Sequence, residues 1–182
     1  MVYVLLAEGF EEIEAVYPVD VLRRCGVEVK IAGLAEYVTG SNGITVKTDI
    51  QLSEVGNDIS MLILPGGPGR INIINSEQAM NLVKRCCNSD TPVAAICGAP
   101  EILGQIGFLQ GRKFTCYPSL ENALSKSGGE FVDSPVVVDC NLITSQAAGT
   151  SEAFAFAIAE FLCGKEKADE IRGKMYANYA AR

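Results

Sequence analysis

The chain has 182 residues, nearly half of them hydrophobic, enough to bury one substantial core and too few for two. A formal net charge of −7 argues against nucleic acid or an anionic membrane as a main partner, because phosphates call for a basic patch. No apolar run reaches the length of a membrane span, and the acidic balance leaves small-molecule chemistry open.

Residues 2–7 ("VYVLLA") are apolar throughout, the pattern of a strand buried on both faces of a parallel sheet. No basic segment precedes them and acidic residues soon follow, so this stretch reads as a first strand and not a signal peptide, and the expected compartment is the cytoplasm. A helix is predicted from Glu11 to Cys25, closed by Gly26. Residues 27–34 form the next strand, and 43–50 alternate like a half-exposed strand or hairpin arm. Residues 59–67 ("ISMLILPGG") are a buried strand running into glycines, and Ser76 caps a helix over 76–89. Residues 92–97 ("PVAAIC") make another buried strand, with a short helix over 98–107. A brief strand and a helix follow within 113–129, then two strands within 135–145 turning at Asp139, Cys140 and Asn141. An apolar helix over 150–164 and a charged one over 165–180 complete the chain. Strand–helix alternation around buried strands predicts an α/β fold over residues 1–182 as a single domain: a three-layer sandwich on a mostly parallel central sheet. Such folds place ligands at the carboxyl ends of the strands, here the loops after Ala7, Leu64 and Ile96.

The seven cysteines (Cys25, Cys86, Cys87, Cys97, Cys116, Cys140, Cys163) are scattered. None forms a CxxC or a Cys/His cluster, so neither a disulfide framework nor a metal site is expected. Cys97 differs from the rest by position. It closes a buried strand just before "GAPE", where Pro100 fits the first turn of a helix. Unpaired N–H groups there should stabilise a thiolate and lower the thiol pKa. Gly98 permits a tight turn, much like a nucleophile elbow. The loop "LPGGPGR" reads either as an ordinary glycine-proline turn or as a run of bare backbone N–H groups that, beside Cys97 at the same sheet edge, can receive an oxyanion. It lacks the Gly-Lys-Ser/Thr ending of a P-loop.

Of the early carboxylates, Glu11 and Glu12 simply favour a helix start. Glu14 lies four residues before Pro18, which cannot donate to its carbonyl, and shares a helix face with Val21 and Cys25. It should point inward while its neighbours meet water, and burial should raise its pKa. Tyr117 beside Cys116, and the small turn "TSQAAGTSEAF", read first as packing and a helix start. The chain holds no histidine, which removes the usual base for a cysteine hydrolase.

Taken in order, "EGFEEIEAVYPVDVLRRCGVEVKIAGL", "LILPGG", "AAICGAP" and "LITSQAAGTSEAFAFAIAEFLCGKEKA" resemble the DJ-1/PfpI superfamily over nearly the whole chain. Within it, they resemble the branch of the parkinsonism-associated redox protein and bacterial proteins assigned to thiazole biosynthesis. The resemblance implies a flavodoxin-like sandwich, usually homodimeric. It implies a reactive Cys97, a protonated Glu14 bonded to it, and oxyanion N–H groups at Gly66, Gly67 and Gly98. Tyr117 replaces a histidine that many members carry before proline, and Ala148 replaces a common proline; both are candidates to line the pocket. An arginine that some members place near "GSNGIT" is absent, and Gly98 stands where the peptidase branch has histidine. A Cys-His peptidase or glutamine amidotransferase is therefore excluded.

Two roles follow from the resemblance. One is a cofactor-free glyoxalase or deglycase acting on small 2-oxoaldehydes, with Cys97 adding to the aldehyde and Glu14 moving a proton. The other is a non-enzymatic peroxide sensor in which Cys97 oxidises to sulfenate and sulfinate, with chaperone-like binding as a third option. The expected partners are thus a small aldehyde or peroxide and a second copy of the chain.

Overall fold

In the computed structural model, residues 1–177 are described. The chain runs β1 (Val2–Leu6), α1 (Glu12–Arg24), β2 (Val29–Gly33), β3 (Tyr37–Thr39), β4 (Thr45–Lys47), β5 (Ile50–Gln51), β6 (Met61–Leu64), α2 (Arg70–Ile74) and α3 (Glu77–Asn88). It continues with β7 (Val93–Ile96), α4 (Pro100–Gln105), β8 (Lys113–Phe114), α5 (Glu121–Lys126), β9 (Glu130–Phe131), β10 (Val136–Asp139), β11 (Leu142–Ser145), α6 (Ser151–Cys163) and α7 (Lys165–Lys174). Seven strands form the central sheet in the order β10-β11-β7-β6-β1-β2-β5. Every pairing in it is parallel except that of β10 with β11.

The layers follow from the two-residue period of a strand. Along β1, Val2, Val4 and Leu6 face a core shared with Val21 and Leu22 of α1 and Phe154, Phe156 and Ile158 of α6. Tyr3 and Leu5 face the opposite core, built with Ala79, Leu82 and Val83 of α3 and Ile102 and Leu103 of α4. Because both faces are covered, every residue of β1, β6 and β7 is buried.

From β1 the sheet grows in both directions, to β2 on one side and β6 on the other. At such a reversal the loops leaving neighbouring strands open a crevice. The loops after β1 and β6 meet there: the Gly69 N–H donates to the Gly9 carbonyl at 2.8 Å and the Glu11 N–H to the Gly66 carbonyl at 3.1 Å.

Several details differ from the sequence expectations. Within residues 43–50 the expected hairpin arm is present but short: β4 pairs with β3 apart from the main sheet, and Ile50 already belongs to β5 at that sheet's edge. The glycine loop is followed by the short helix α2, for which five residues give no readable period. Glu12 does not meet water. It is buried and accepts from the N–H groups of Asn42 and Ile44 and from the Asn42 side chain, which ties the hairpin turn to α1. Burial raises the Glu12 pKa, but those hydrogen bonds together hold it below the usual value. The final helix, expected over 165–180, ends at Lys174, and residues 178–180 of that expectation lie outside the described part.

Candidate active site

Cys97 directly follows β7 and adopts φ +63°, in the left-handed region. For a residue with a side chain this costs about 1–2 kcal/mol, so the surroundings must hold it. Two backbone bonds do: the Cys97 N–H donates to the Ser145 carbonyl at 2.9 Å, and the Tyr117 N–H donates to the Cys97 carbonyl at 2.8 Å. The turn throws the side chain off the sheet toward the loop after β6. This is the elbow expected from "AICGAP".

Glu14, in the first turn of α1, is fully buried. Its Oε2 accepts from the Gly66 N–H at 2.8 Å, while Oε1 is buried without a hydrogen-bond partner. Gly66 is wedged between the two candidate groups. A Cβ on it would lie 2.8 Å from the Cys97 Cβ, the Glu14 Oε2 and the Ile96 carbonyl alike. Gly67 follows with φ +80°, and a Cβ there would lie 2.7 Å from Glu11 N and the Gly9 carbonyl.

Burial pushes the Glu14 carboxyl up to about 7, against the bonds from Gly66 and the Cys97 thiol, with the Glu11 charge adding to the rise. The expected lowering of the Cys97 pKa is not what the structure produces. Burial, then the Glu14 charge, push the thiol up to about 12, outweighing the Gly67 and Gly98 N–H groups that act the other way. Position at a turn of N–H groups is too weak here to offset a buried sulfur beside a carboxylate. The two groups titrate as a pair, so the first proton lost near neutrality leaves one shared negative charge. A carboxylate with a thiol, and a carboxyl with a thiolate, differ only by a proton moved between them. Glu14 Oε1 is the unpartnered atom that can carry that proton.

Glu14→Gln keeps an acceptor for Gly66 and removes the shared charge. In wild type, the alkylation rate of Cys97 by iodoacetamide should rise first with a midpoint near 7 and again at much higher pH; in Glu14→Gln only one high step should remain. A single wild-type step at the ordinary thiol value of about 8.5 would refute the pairing. The carboxyl pKa is raised from 4.5 to about 7 on folding, so its ionisation opposes folding, and this cost grows as pH rises across that window. Glu14→Gln should therefore match wild-type stability below the window and exceed it above, by at most about 3 kcal/mol in denaturant melts.

A cleft of about 190 Å³ opens on the sulfur between Gly67, Pro68 and Arg70 on one side and Cys97 and Gly98 on the other. Tyr117, Ser119 and Leu120 complete its wall. Tyr117 thus lines the cleft, and it is about half exposed. Ala148 does not: it opens a 3-10 turn before α6 and lies outside the cleft lining.

Residues 1–161 match the sequence model of the DJ-1/PfpI family. The chain belongs to the DJ-1/PfpI family. It is 38% identical to protein dj-1beta of Drosophila melanogaster over 97% of this chain and 96% of that protein. It is 37% identical to a protein named a deglycase from Pyrococcus abyssi, over 81% of this chain and 90% of the relative. The crystal structure of Drosophila melanogaster DJ-1beta superposes with a TM-score of 0.91 over 96% of each chain, at 38% identity. The oxidized DJ-1 of Toxoplasma gondii superposes with a TM-score of 0.91 over 98% of each, at 33% identity.

Against this DJ-1/PfpI background, Arg70 is the residue that sequence reasoning passed over. It ends the "PGGPGR" loop and starts α2, and its Nε donates to Glu101 Oε2 at 2.7 Å. A lone cation closing a glycine loop at a strand's carboxyl end was the available signal. Ser145, which accepts from Cys97 through its carbonyl, lies 48 residues further along the chain and left no local signal.

Proposed function

We propose that this protein is a cofactor-free, cysteine-dependent enzyme acting on small 2-oxoaldehydes, of the glyoxalase or deglycase type. The observation that carries this reading is the strained Cys97 elbow facing a buried carboxyl whose pKa is raised to about 7. The deglycase name of the Pyrococcus abyssi relative supports the same class. In the proposed course, Cys97 Sγ forms a bond to the aldehyde carbon, its thiol proton passes by way of Glu14 to the aldehyde oxygen, and that oxygen rests on the Gly67 and Gly98 N–H groups. Glu14, again a carboxylate, takes the proton from that carbon and returns it to the neighbouring ketone carbon as the hydroxyl proton moves to the ketone oxygen, leaving a thioester of a 2-hydroxy acid. Water then breaks the carbon–sulfur bond and restores the thiol. No net oxidant is required, because one carbon is oxidised as its neighbour is reduced. Conversion of methylglyoxal to lactate in proportion to added protein tests the reading; absence of lactate above the buffer rate overturns it.

A second reading is supported by the unpartnered Glu14 Oε1 and by the lack of any histidine: Cys97 as a peroxide sensor. Each peroxide transfers one oxygen to the sulfur and leaves as water, giving sulfenate and then sulfinate. A protonated Oε1 can donate to a sulfinate oxygen, which no histidine is needed to hold.

A homodimer belongs to the same proposal. Ile13 and Val16 are half exposed on α1 beside Glu14, and Tyr37 and Ile44 are more exposed on the adjoining hairpin, an apolar patch suited to a second copy. Sedimentation at the mass of one chain would remove it.

A further inference from the structure

The cleft holds one cation that neither proposed role uses. Arg70 and Glu101 are each about one-quarter exposed, so their ion pair sits at the lip of the cleft and not in its floor. The stem of Arg70 lies against Gly98: a Cβ on Gly98 would be 2.6 Å from Arg70 Cδ and 3.0 Å from Nε. Its guanidinium is therefore held beside the residue whose N–H faces the Cys97 sulfur. Nε is committed to Glu101, and Nη1 donates to the Gly67 carbonyl at 3.3 Å. Of the five N–H donors of a guanidinium, this leaves three without a hydrogen-bond partner among the described residues. The other polar side chains of the wall, Tyr117 and Ser119, are neutral hydroxyls. One backbone carbonyl, the close-packed Gly98 and an acidic partner orient a fork that still has an open edge, the arrangement that reads a carboxylate or phosphate in two-pronged fashion.

We propose that Arg70 is a specificity-determining residue of the Cys97 cleft, and that the preferred electrophiles carry an anionic oxygen group a few bonds from the reacting carbonyl. As a statement about substrate this rests on the 2-oxoaldehyde reading above; as a statement about the cleft it does not. The reaction balances as before: R–CO–CHO and water give R–CHOH–COOH, with the anion of R seated on Arg70 throughout. Glu101 offsets part of the guanidinium charge, so selection comes chiefly from oriented hydrogen bonds.

Two measurements test this separately. The first needs no turnover. Wild-type protein is alkylated with iodoacetate or iodoacetamide at one fixed pH, and modification is read peptide by peptide, with exposed Cys140 as the internal reference. The iodoacetate-to-iodoacetamide rate ratio at Cys97 should exceed that at Cys140 by roughly tenfold, and in Arg70→Met the excess should vanish while Arg70→Lys keeps part of it. Equal ratios at the two cysteines in wild type would overturn the anion site, whatever the folding of the variants. The second compares 4,5-dioxopentanoate, which carries a carboxylate, with methylglyoxal, which does not. The kcat/KM preference for the former should fall roughly 10- to 100-fold in Arg70→Met. A loss shared equally by both substrates would show a purely structural role, and overturn the proposal. If wild type turns over neither compound, the enzymatic reading fails, while the alkylation ratio still decides the role of Arg70.

Discussion

Cys97→Ser is expected to abolish lactate formation from methylglyoxal, a loss of roughly a thousandfold or more. The change replaces one atom and leaves the elbow's backbone bonds to Ser145 and Tyr117 in place. What disappears is a sulfur that can share a proton with Glu14; a hydroxyl holds its proton too tightly for a carboxyl of pKa about 7 to share it. A variant that retained more than about a tenth of the rate would remove Cys97 from the chemistry, since a true nucleophile is not replaced so cheaply. The same pair of proteins separates the two proposed roles. After mild peroxide, wild type should gain two oxygens on the Cys97 peptide before exposed Cys140 is modified. If Cys140 or another cysteine oxidises first, the sensor reading fails and turnover alone remains to be judged.

Gly66→Ala is the second large effect, and it acts on stability and chemistry together. The added methyl would meet the Cys97 Cβ, the Glu14 Oε2 and the Ile96 carbonyl, each at 2.8 Å, in a buried position. None of these neighbours is the free end of a flexible chain. Two are backbone or Cβ atoms, and the third is held by the Gly66 N–H itself. Overpacking of this kind costs about 3 kcal/mol, which for a chain of this size lowers Tm by about 6–12 °C. Because the displaced atoms are the sulfur's stem and the proton carrier, lactate formation should fall further than stability does. Gly173→Ala is the matching control: it lies inside α7, a Cβ there meets nothing within 4 Å, and helix propensity should make it neutral or stabilising by about 0.5–1 kcal/mol. Equal Tm values for the two variants would refute the steric argument at Gly66.

Glu12 and Glu14 stand two residues apart on one helix, yet only one of them was legible as buried. Pro18 and the inward face of Val21 and Cys25 marked Glu14 as buried, and it is. Glu12 was indistinguishable from any acidic residue at a helix start, because the atoms that bury it belong to a hairpin some thirty residues away. The same contrast holds for strands. β1, β6 and β7 were legible as continuous apolar runs, since burial on both faces leaves no room for polar residues. β3 and β5 were not, because two or three residues at an edge need no pattern of their own.

By itself the sequence determined the alternation of strands and helices, the turn at Cys97, the glycine loop and the inward carboxylate. Each is a local matter: periodicity, a proline in a first turn, a glycine where a side chain cannot fit. Tertiary structure alone decided the electrostatics and the walls of the site. A thiol at a turn of N–H groups reads locally as acidic, yet burial and a carboxylate from a distant helix push it the other way. Arg70 gains its meaning only when Gly98 and Glu101 of another loop and helix come beneath it. Charge–charge and desolvation terms depend on distances through space, and spacing along the chain does not carry them.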